Sequence, residues 1–184
     1  DYDVVNVEND HRYRDFWQTY HRMTERSGVT AQVAKIEMRR RLTLIGAMLL
    51  HKGEVDGMLC GTFGTHALHL HYVDQVIGRR KDVSAYYAMN GLMLPKQTVF
   101  ICDTYVNYDP SAEQLVEMTI LAAEELHRFG LTPKVALLSH SSFGTSDSES
   151  ARKMRKALQL IRQSGADFEV DGEMHADAAL SDVL

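Results

Sequence analysis

The sequence predicts an α/β protein whose strands form a mixed sheet, and three observations lead to that prediction. Amphipathic helices with glycine stops dominate residues 1–79. From about residue 80 the pattern changes to an apolar hairpin that covers residues 86–102. A strand, a polar loop and a helix then follow one another over residues 135–158. A hairpin inside an alternating chain of strands and helices indicates a sheet with both parallel and antiparallel pairs.

Composition and charge exclude several classes of protein. The chain has 184 residues, of which 45% are hydrophobic and 24% charged, as in ordinary globular domains. A net charge of -5 argues against non-specific binding to nucleic acid, which needs a basic surface. The longest apolar run, residues 44–50, is far too short to cross a membrane. Cys60 and Cys102 lie in apolar runs without a CxxC motif, which predicts small buried thiols in a reducing cytoplasm.

Two helices are predicted near the start of the chain. Aromatic and apolar residues at spacings of three and four predict a helix over residues 11–27, and Gly28 ends it. Thr30 then caps a longer helix that runs to about Lys52. The arginines at 39–41 fit a phosphate-binding patch, although a solvated helix face is the favoured interpretation. The buried side of this helix is expected to contain Val33, Ile36, Leu44, Ala47 and Met48.

A third helix, over residues 66–77, carries the densest histidine group of the chain. A glycine-framed strand over residues 55–61 and a tight loop over residues 61–65 lead into it. In a helix His66 and His69 share a face that His71 does not, and in a strand only His69 and His71 do. Neither geometry brings three ligands together, so we expect no metal site here.

The second part of the chain is predicted to alternate strands and helices. Strands are expected over residues 82–96, 98–102, 135–138 and 168–170, and a last helix over residues 177–184. A helix starts at Ser111 or Asp109 and stops at Gly130, with an inner face of Leu115, Met118, Thr119, Ala122 and Leu126. A further helix is indicated by Met154, Leu158 and Ile161, with Arg152, Lys153, Arg155 and Lys156 on its opposite side.

The polar loop over residues 139–148 is the first candidate for a binding site. It joins a strand to the start of a helix, where free N–H groups and the helix dipole favour an anion. Its hydroxyl donors, and a glycine that permits close approach to the backbone, are Ser139, Ser141, Thr145 and Gly144. An ordinary loop capped by Ser148 or Asp147 explains the same pattern equally well. The sequence contains neither a Walker A motif nor a dinucleotide-binding glycine motif.

Three segments resemble the phosphate acetyltransferase (phosphotransacetylase) family in the same order. They are residues 54–61, residues 103–117, and residues 135–144 followed by 170–180. Within that family, residues 20–30 and 60–64 look most like the carboxy-terminal domain of bacterial NADP-dependent malic enzymes. The resemblance implies a two-lobed, three-layer α/β/α sandwich of the phosphotransacetylase and isocitrate dehydrogenase type. Residues 1–79 would belong to its first lobe and residues 80–184 to its second.

The resemblance also implies a homodimeric contact and a coenzyme A cleft between the lobes. The residues expected to line that cleft are Thr65, His71, Asn107, Ser139, Ser141, Gly144 and Thr145. His71 stands where the family carries an arginine, and a mostly neutral imidazole cannot replace a forked cation against phosphate. The family's catalytic Asp-Leu-Ser-Arg-Gly segment would follow Leu184. The chain is therefore expected to be a fragment of the domain without catalytic residues of its own.

These features predict a regulatory domain of a malic enzyme that binds acetyl-CoA and mediates oligomerisation. Regulation needs only a difference in affinity between two states of the enzyme, about 1–3 kcal/mol. NADP and a divalent metal are implied for a malic enzyme domain in the same parent chain, and no cofactor for this part. Two alternatives remain: an active phosphate acetyltransferase that moves acetyl between coenzyme A and phosphate, and a purely structural dimerisation domain.

Overall fold

The chain divides into two compact units, Asp1–Arg80 and Lys81–Leu184. The structure is a computed structural model that describes residues 2–181. Among those residues, no helix is both long and apolar enough to cross a bilayer. Each unit has its own apolar core.

The first unit is helical throughout its described secondary structure. Helix α1 spans Tyr13–Thr24 and continues as a 3-10 turn, Glu25–Ser27, which Gly28 ends with a positive φ of 90°. The other helices are α2 (Ala31–Arg40), α3 (Leu42–His51) and α4 (His66–Val76). The core they enclose contains Phe16, Tyr20, Ala34, Met38, Leu44, Ile45, Ala47, Met48, Tyr72 and Val76.

Three expectations for the first unit are wrong. The single helix predicted after Thr30 breaks at Arg41, whose φ of -113° and ψ of 95° are extended, and this break separates α2 from α3. Val33 and Ile36, predicted on the buried side, are 43% and 40% exposed, because α2 buries Ala34 and Met38 instead. The strand predicted over residues 55–61 is irregular and mostly exposed, and the described part of this unit offers it no strand to pair with.

The second unit contains all the strands that the structure describes. Strands β1 (Met89–Met93) and β2 (Thr98–Cys102) form an antiparallel hairpin, and β3 (Lys134–Leu138) and β4 (Glu169–Met174) form a parallel pair. Both kinds of pairing were predicted, but they lie in two separate sheets instead of one. Helices α5 (Ala112–Arg128), α6 (Glu149–Gln163) and the short α7 (Ala176–Ala179) complete the unit. The predicted last helix is shorter than expected, and its residues 182–184 lie outside the described part.

The ends of these elements agree with the sequence signals more closely than their lengths do. Ser111 caps α5 in a capping box with Gln114, and Ser148 caps α6 by accepting a hydrogen bond from the Ala151 N–H. The long strand predicted over residues 82–96 is reduced to β1, because residues 82–88 are irregular. On α5, Ala123 is buried where Ala122 was expected.

Helix α6 packs on the β3–β4 pair and on α5, and residues of these elements form the second core. Its buried residues are Ala112, Leu115, Met118, Leu137, Ala157, Leu158 and Ile161. Cys102 lies half-buried beside this core, and burial raises the pKa of its thiol. Cys60, in contrast, is exposed because the loop that carries it forms no strand, so the prediction of two buried thiols is wrong for this residue.

Candidate functional site

The loop between β3 and α6 is tied by its backbone to the end of β4. We call residues 139–145 the serine loop. The Ser139 N–H donates to the Met174 carbonyl at 2.9 Å, and the Phe143 N–H donates to the Glu173 carbonyl at 2.8 Å. Both bonds hold the loop against the last residues of the parallel strand pair.

A buried carboxylate lies among the donors of the serine loop. Glu173 is fully buried, and its Oε1 accepts hydrogen bonds from the Gly144 N–H at 3.0 Å and the Ser141 hydroxyl at 3.1 Å. The Arg155 guanidinium, on α6, donates to the same oxygen at 2.9 Å. The other oxygen, Oε2, has no hydrogen-bond partner among the described residues. The loop therefore does bind an anion, and that anion belongs to the chain itself.

An irregularity in the strand register directs Glu173 into the loop. Leu137 pairs with Gly172 and Leu138 pairs with Met174, so Glu173 is an extra residue in β4. Such an extra residue bends a strand and redirects its side chain. Gly172 is required beside it, because an added Cβ would lie 2.6 Å from the Leu137 carbonyl oxygen.

The Glu173 carboxylate is ionised at neutral pH. Burial raises its pKa, but the hydrogen bonds from the Gly144 N–H, Arg155 and Ser141 outweigh burial and hold the pKa below the ordinary value of 4.5. Arg155 is 32% exposed and balances the charge. The Arg155 charge is thus matched by an internal carboxylate.

Gly144 has a conformational role in the loop. Its φ is +86°, a value that residues with a Cβ rarely adopt, and an added Cβ would meet nothing within 4 Å. Its neighbour Phe143 also has a positive φ, 47°, and the residue is 63% exposed. The glycine is therefore favoured by the backbone turn that points its N–H at Glu173.

The other predicted residues of the loop form hydrogen bonds within the loop itself. The Thr145 hydroxyl accepts from the Ser142 N–H at 3.2 Å, and the Thr145 N–H donates to the Ser142 carbonyl at 3.1 Å. The Ser139 and Ser141 hydroxyl oxygens lie 3.4 Å apart. The structure thus brings Ser139, Ser141, Gly144 and Thr145 into one compact turn.

Asn107 organises a different turn of the same unit. Its side-chain nitrogen donates to the Tyr86 carbonyl at 2.7 Å and to the Asp103 carboxylate at 2.5 Å. Burial raises the pKa of Asp103, but donors from Asn107, Ala88 and the turn backbone lower it further, so the net shift is downward. The side-chain nitrogen of Asn107 therefore stabilises this turn through its two hydrogen bonds.

Thr65 and His71 belong to the first unit. The Thr65 hydroxyl caps α4 by accepting from the Leu68 N–H at 3.3 Å. His71 is exposed on α4, with its ring edge-on to Tyr72 at a centroid distance of 5.3 Å. His69 instead meets the Thr43 hydroxyl at 2.7 Å. Among the described residues, no three His, Cys, Asp or Glu side chains are grouped to hold a metal.

Sequence reasoning missed Glu173 and Arg155 as members of the site. Glu173 lies 29 residues after Gly144 and 18 after Arg155, so only the strand register reveals that they meet. The sequence pattern places Arg155 only on the side of its helix opposite the apolar residues. The available signal was the Asp-Gly-Glu segment at 171–173, in which a glycine and two acids interrupt a strand.

Comparison with known proteins gives consistent results. The family model described as Phosphate acetyl/butaryl transferase matches residues 1–184. The chain is 47% identical to an NAD-dependent malic enzyme of Rhizobium meliloti (strain 1021) and 46% identical to an NADP-dependent malic enzyme of Escherichia coli (strain K12). Each match covers 100% of this chain and 24% of the relative. The chain therefore spans about a quarter of the length of these relatives.

A solved structure supports the fold. A phosphotransacetylase from Streptococcus pyogenes matches with a TM-score of 0.82 and 25% sequence identity. The match covers 97% of this chain and 54% of that chain. The α/β fold class predicted from the sequence is confirmed.

Proposed function

Because the chain belongs to the Phosphate acetyl/butaryl transferase family, we propose that it is a regulatory domain of a malic enzyme, binding acetyl-CoA and contributing to oligomerisation. The observation that carries the proposal is the identity of 46–47% with two malic enzymes over the whole chain. The malic enzyme domain of the parent chain would bind the nicotinamide nucleotide and the divalent metal. NADP stays a prediction, since the relatives include an NAD-dependent enzyme.

Two features support a domain that does not itself transfer acetyl groups. Transfer to phosphate needs a cation free to stabilise the charge that develops in the transition state. His71, at the position of the family's arginine, supplies an imidazole instead of a guanidinium. Arg155, the cation at the serine loop, already faces the Glu173 carboxylate. Binding without turnover requires neither group to be free, and it suffices for regulation.

The proposed contacts of acetyl-CoA remain those predicted from the sequence. The serine loop offers Ser139, Ser141, Gly144 and Thr145, whereas Thr65, His71 and Asn107 stay predictions from the sequence. Hydroxyl and backbone N–H donors of this kind suit the phosphate and amide oxygens of an acyl-CoA.

Titration of acetyl-CoA into the full-length parent enzyme tests the proposal. We expect binding by calorimetry and a change in the rate of malate oxidation. In Gly144→Val, the strained turn should remove both the binding and the response. Gly165→Val is the matched control, since Gly165 also has a positive φ of 74° and open space around its Cβ position. A Gly144→Val enzyme that is folded and responds like the Gly165→Val enzyme would remove the serine loop from the site.

The alternative function is an active phosphate acetyltransferase, favoured by the fold match to a phosphotransacetylase. Formation of acetyl phosphate from acetyl-CoA and phosphate by the full-length parent would establish that activity and replace the regulatory proposal. A parent that neither binds acetyl-CoA nor makes acetyl phosphate would instead favour a structural dimerisation domain.

A further inference from the structure

We infer that the serine loop is an oxyanion-binding site occupied from within by Glu173, and that a phosphate-type anion binds there by displacing this carboxylate. The inference deepens the proposed function, because it concerns regulation at the same loop. It assigns Glu173 the role of an internal competitor.

The donors around Glu173 are those that proteins use for external oxyanions. A backbone N–H from Gly144, a hydroxyl from Ser141 and a guanidinium from Arg155 converge on one oxygen within 2.9–3.1 Å. Charge-assisted bonds of this kind recognise phosphate as readily as carboxylate. The bound Glu173 carboxylate therefore shows that these three donors can bind an oxyanion.

The internal carboxylate is held incompletely. All three donors meet Oε1, whereas Oε2 is buried and has no partner among the described residues. A buried carboxylate oxygen without a donor is costly, so the internal complex is less stable than three hydrogen bonds alone suggest. A phosphate group offers more oxygens to the same donors, which favours exchange.

Arg155 can follow such an exchange. Its guanidinium is partly exposed, and it also donates to the Ser146 carbonyl at 2.9 Å, next to the loop. The side chain therefore spans the distance between the buried carboxylate and the surface. Arg155, which now pairs with Glu173, would then pair with the incoming anion.

Removal of the Glu173 carboxylate should strengthen the binding of inorganic phosphate. We would titrate inorganic phosphate, without acetyl-CoA, into the full-length parent with Glu173→Gln and with Glu173→Ala. Both variants should bind phosphate at least about tenfold more tightly than the wild type, since a hydrogen bond to a charged group contributes at least that factor. Glu169→Gln is the matched control, because it removes an exposed carboxylate from the same strand and should leave the phosphate affinity unchanged.

Every outcome of this titration is decisive. Folded Glu173 variants with the phosphate affinity of the wild type would overturn the inference. If a Glu173 variant is unfolded without phosphate, phosphate should restore its circular dichroism, and failure to do so overturns the inference equally.

A parallel titration with acetyl-CoA identifies the source of the anion: tighter acetyl-CoA binding assigns it to coenzyme A, and a gain for inorganic phosphate alone assigns it to the free ion. A wild-type parent insensitive to acetyl-CoA overturns the proposed function without affecting the phosphate result.

Discussion

Two glycines beside Glu173 are required for different physical reasons. Gly144 has open space around its Cβ position, and only its positive φ of 86° disfavours other residues. Gly172 combines a φ of 133° with close approach to β3, where an added Cβ would lie 2.6 Å from the Leu137 carbonyl oxygen and 3.2 Å from the Leu137 nitrogen. The first glycine serves the loop conformation, and the second serves the strand pairing.

Substitution of the two glycines should therefore differ in cost. Gly144→Ala should lower the free energy of unfolding by about 1–2 kcal/mol, the cost of a left-handed residue with a Cβ. Gly172→Ala should cost about 3 kcal/mol or more, because steric overpacking against β3 adds about 1–3 kcal/mol. Urea denaturation of both variants measures the difference. Equal losses would show that the Leu137 backbone yields easily.

Glu173 also predicts how stability depends on pH. Its pKa in the folded protein lies below the unfolded value of 4.5, so its contribution is present above that value and lost as the pH falls through the folded pKa. Between about pH 5 and pH 3, wild type should lose more unfolding free energy than Glu173→Gln does. Denaturation curves across this range test the prediction, with Glu169→Gln as the control for loss of a carboxylate from β4. Identical pH slopes in wild type and Glu173→Gln would contradict it.

At the scale of elements, the basic face of α6 fastens the helix to its neighbours. Lys153 pairs with Asp109 and Lys156 pairs with Glu113 at 2.6 Å, both near the start of α5. Arg152 pairs with Asp147, Arg155 with Glu173 and Arg162 with Asp171. The basic side chains of this face are therefore paired with carboxylates along its length.

The ion pairs of α6 should contribute very unequally to stability. Arg155→Met leaves Glu173 buried without its cation and should cost about 2 kcal/mol or more. Lys156→Met breaks a pair whose two side chains are 59% and 62% exposed, and it should leave the free energy of unfolding nearly unchanged, because solvent screens such a pair. Thermal and urea denaturation of these neighbouring variants provide the comparison. A loss at Lys156 as large as that at Arg155 would refute the distinction.

The sequence predicted elements whose signals are local. Helices α1, α5 and α6 were located because apolar spacing and end signals coincide, as with Ser111 for α5 and Ser148 for α6. The hairpin was found because its two apolar strands flank a turn at Pro95, and Leu94 and Gln97 close that turn with a hydrogen bond of 2.9 Å. These features need no knowledge of the rest of the chain.

Features that depend on distant partners were missed. No glycine or proline marks the break at Arg41, which lets α3 bury Leu44 and Met48 independently of the face that α2 buries. The segment 55–61 has strand composition but finds no strand to pair with among the described residues of its unit. The position of Glu173 depends on register between strands far apart in sequence. Of the candidate site, the serine loop was therefore predictable and its buried partner was not.

At the scale of the whole molecule, the chain changes character where its two units meet in sequence. The first unit ends at Arg80 and the second begins at Lys81. Arg79, Arg80 and Lys81 are exposed and lie outside helices and strands. A connection of this kind is a favourable site for proteolysis.

Limited trypsin digestion should therefore cut first at residues 79–81. Mass spectrometry should find two fragments that divide there, since trypsin needs an exposed and adaptable stretch of backbone after Arg or Lys. Lys96 lies in the tight hairpin turn and should be cut more slowly. Replacement of all three basic residues by Gln should abolish the early cut. Early fragments that end at Lys96 would show that the hairpin opens more readily than the connection.

The late position of Glu173 also sets an order of events during synthesis. The carboxylate follows Gly144 by 29 residues, so the serine loop leaves the ribosome before its internal anion exists. At translation rates of about 5–20 residues per second, this interval lasts roughly 1–6 seconds. During that time β3 also waits for β4, because parallel partners are joined only after α6 has been made. The nascent loop is thus exposed to the anions of its surroundings before it can close on its own.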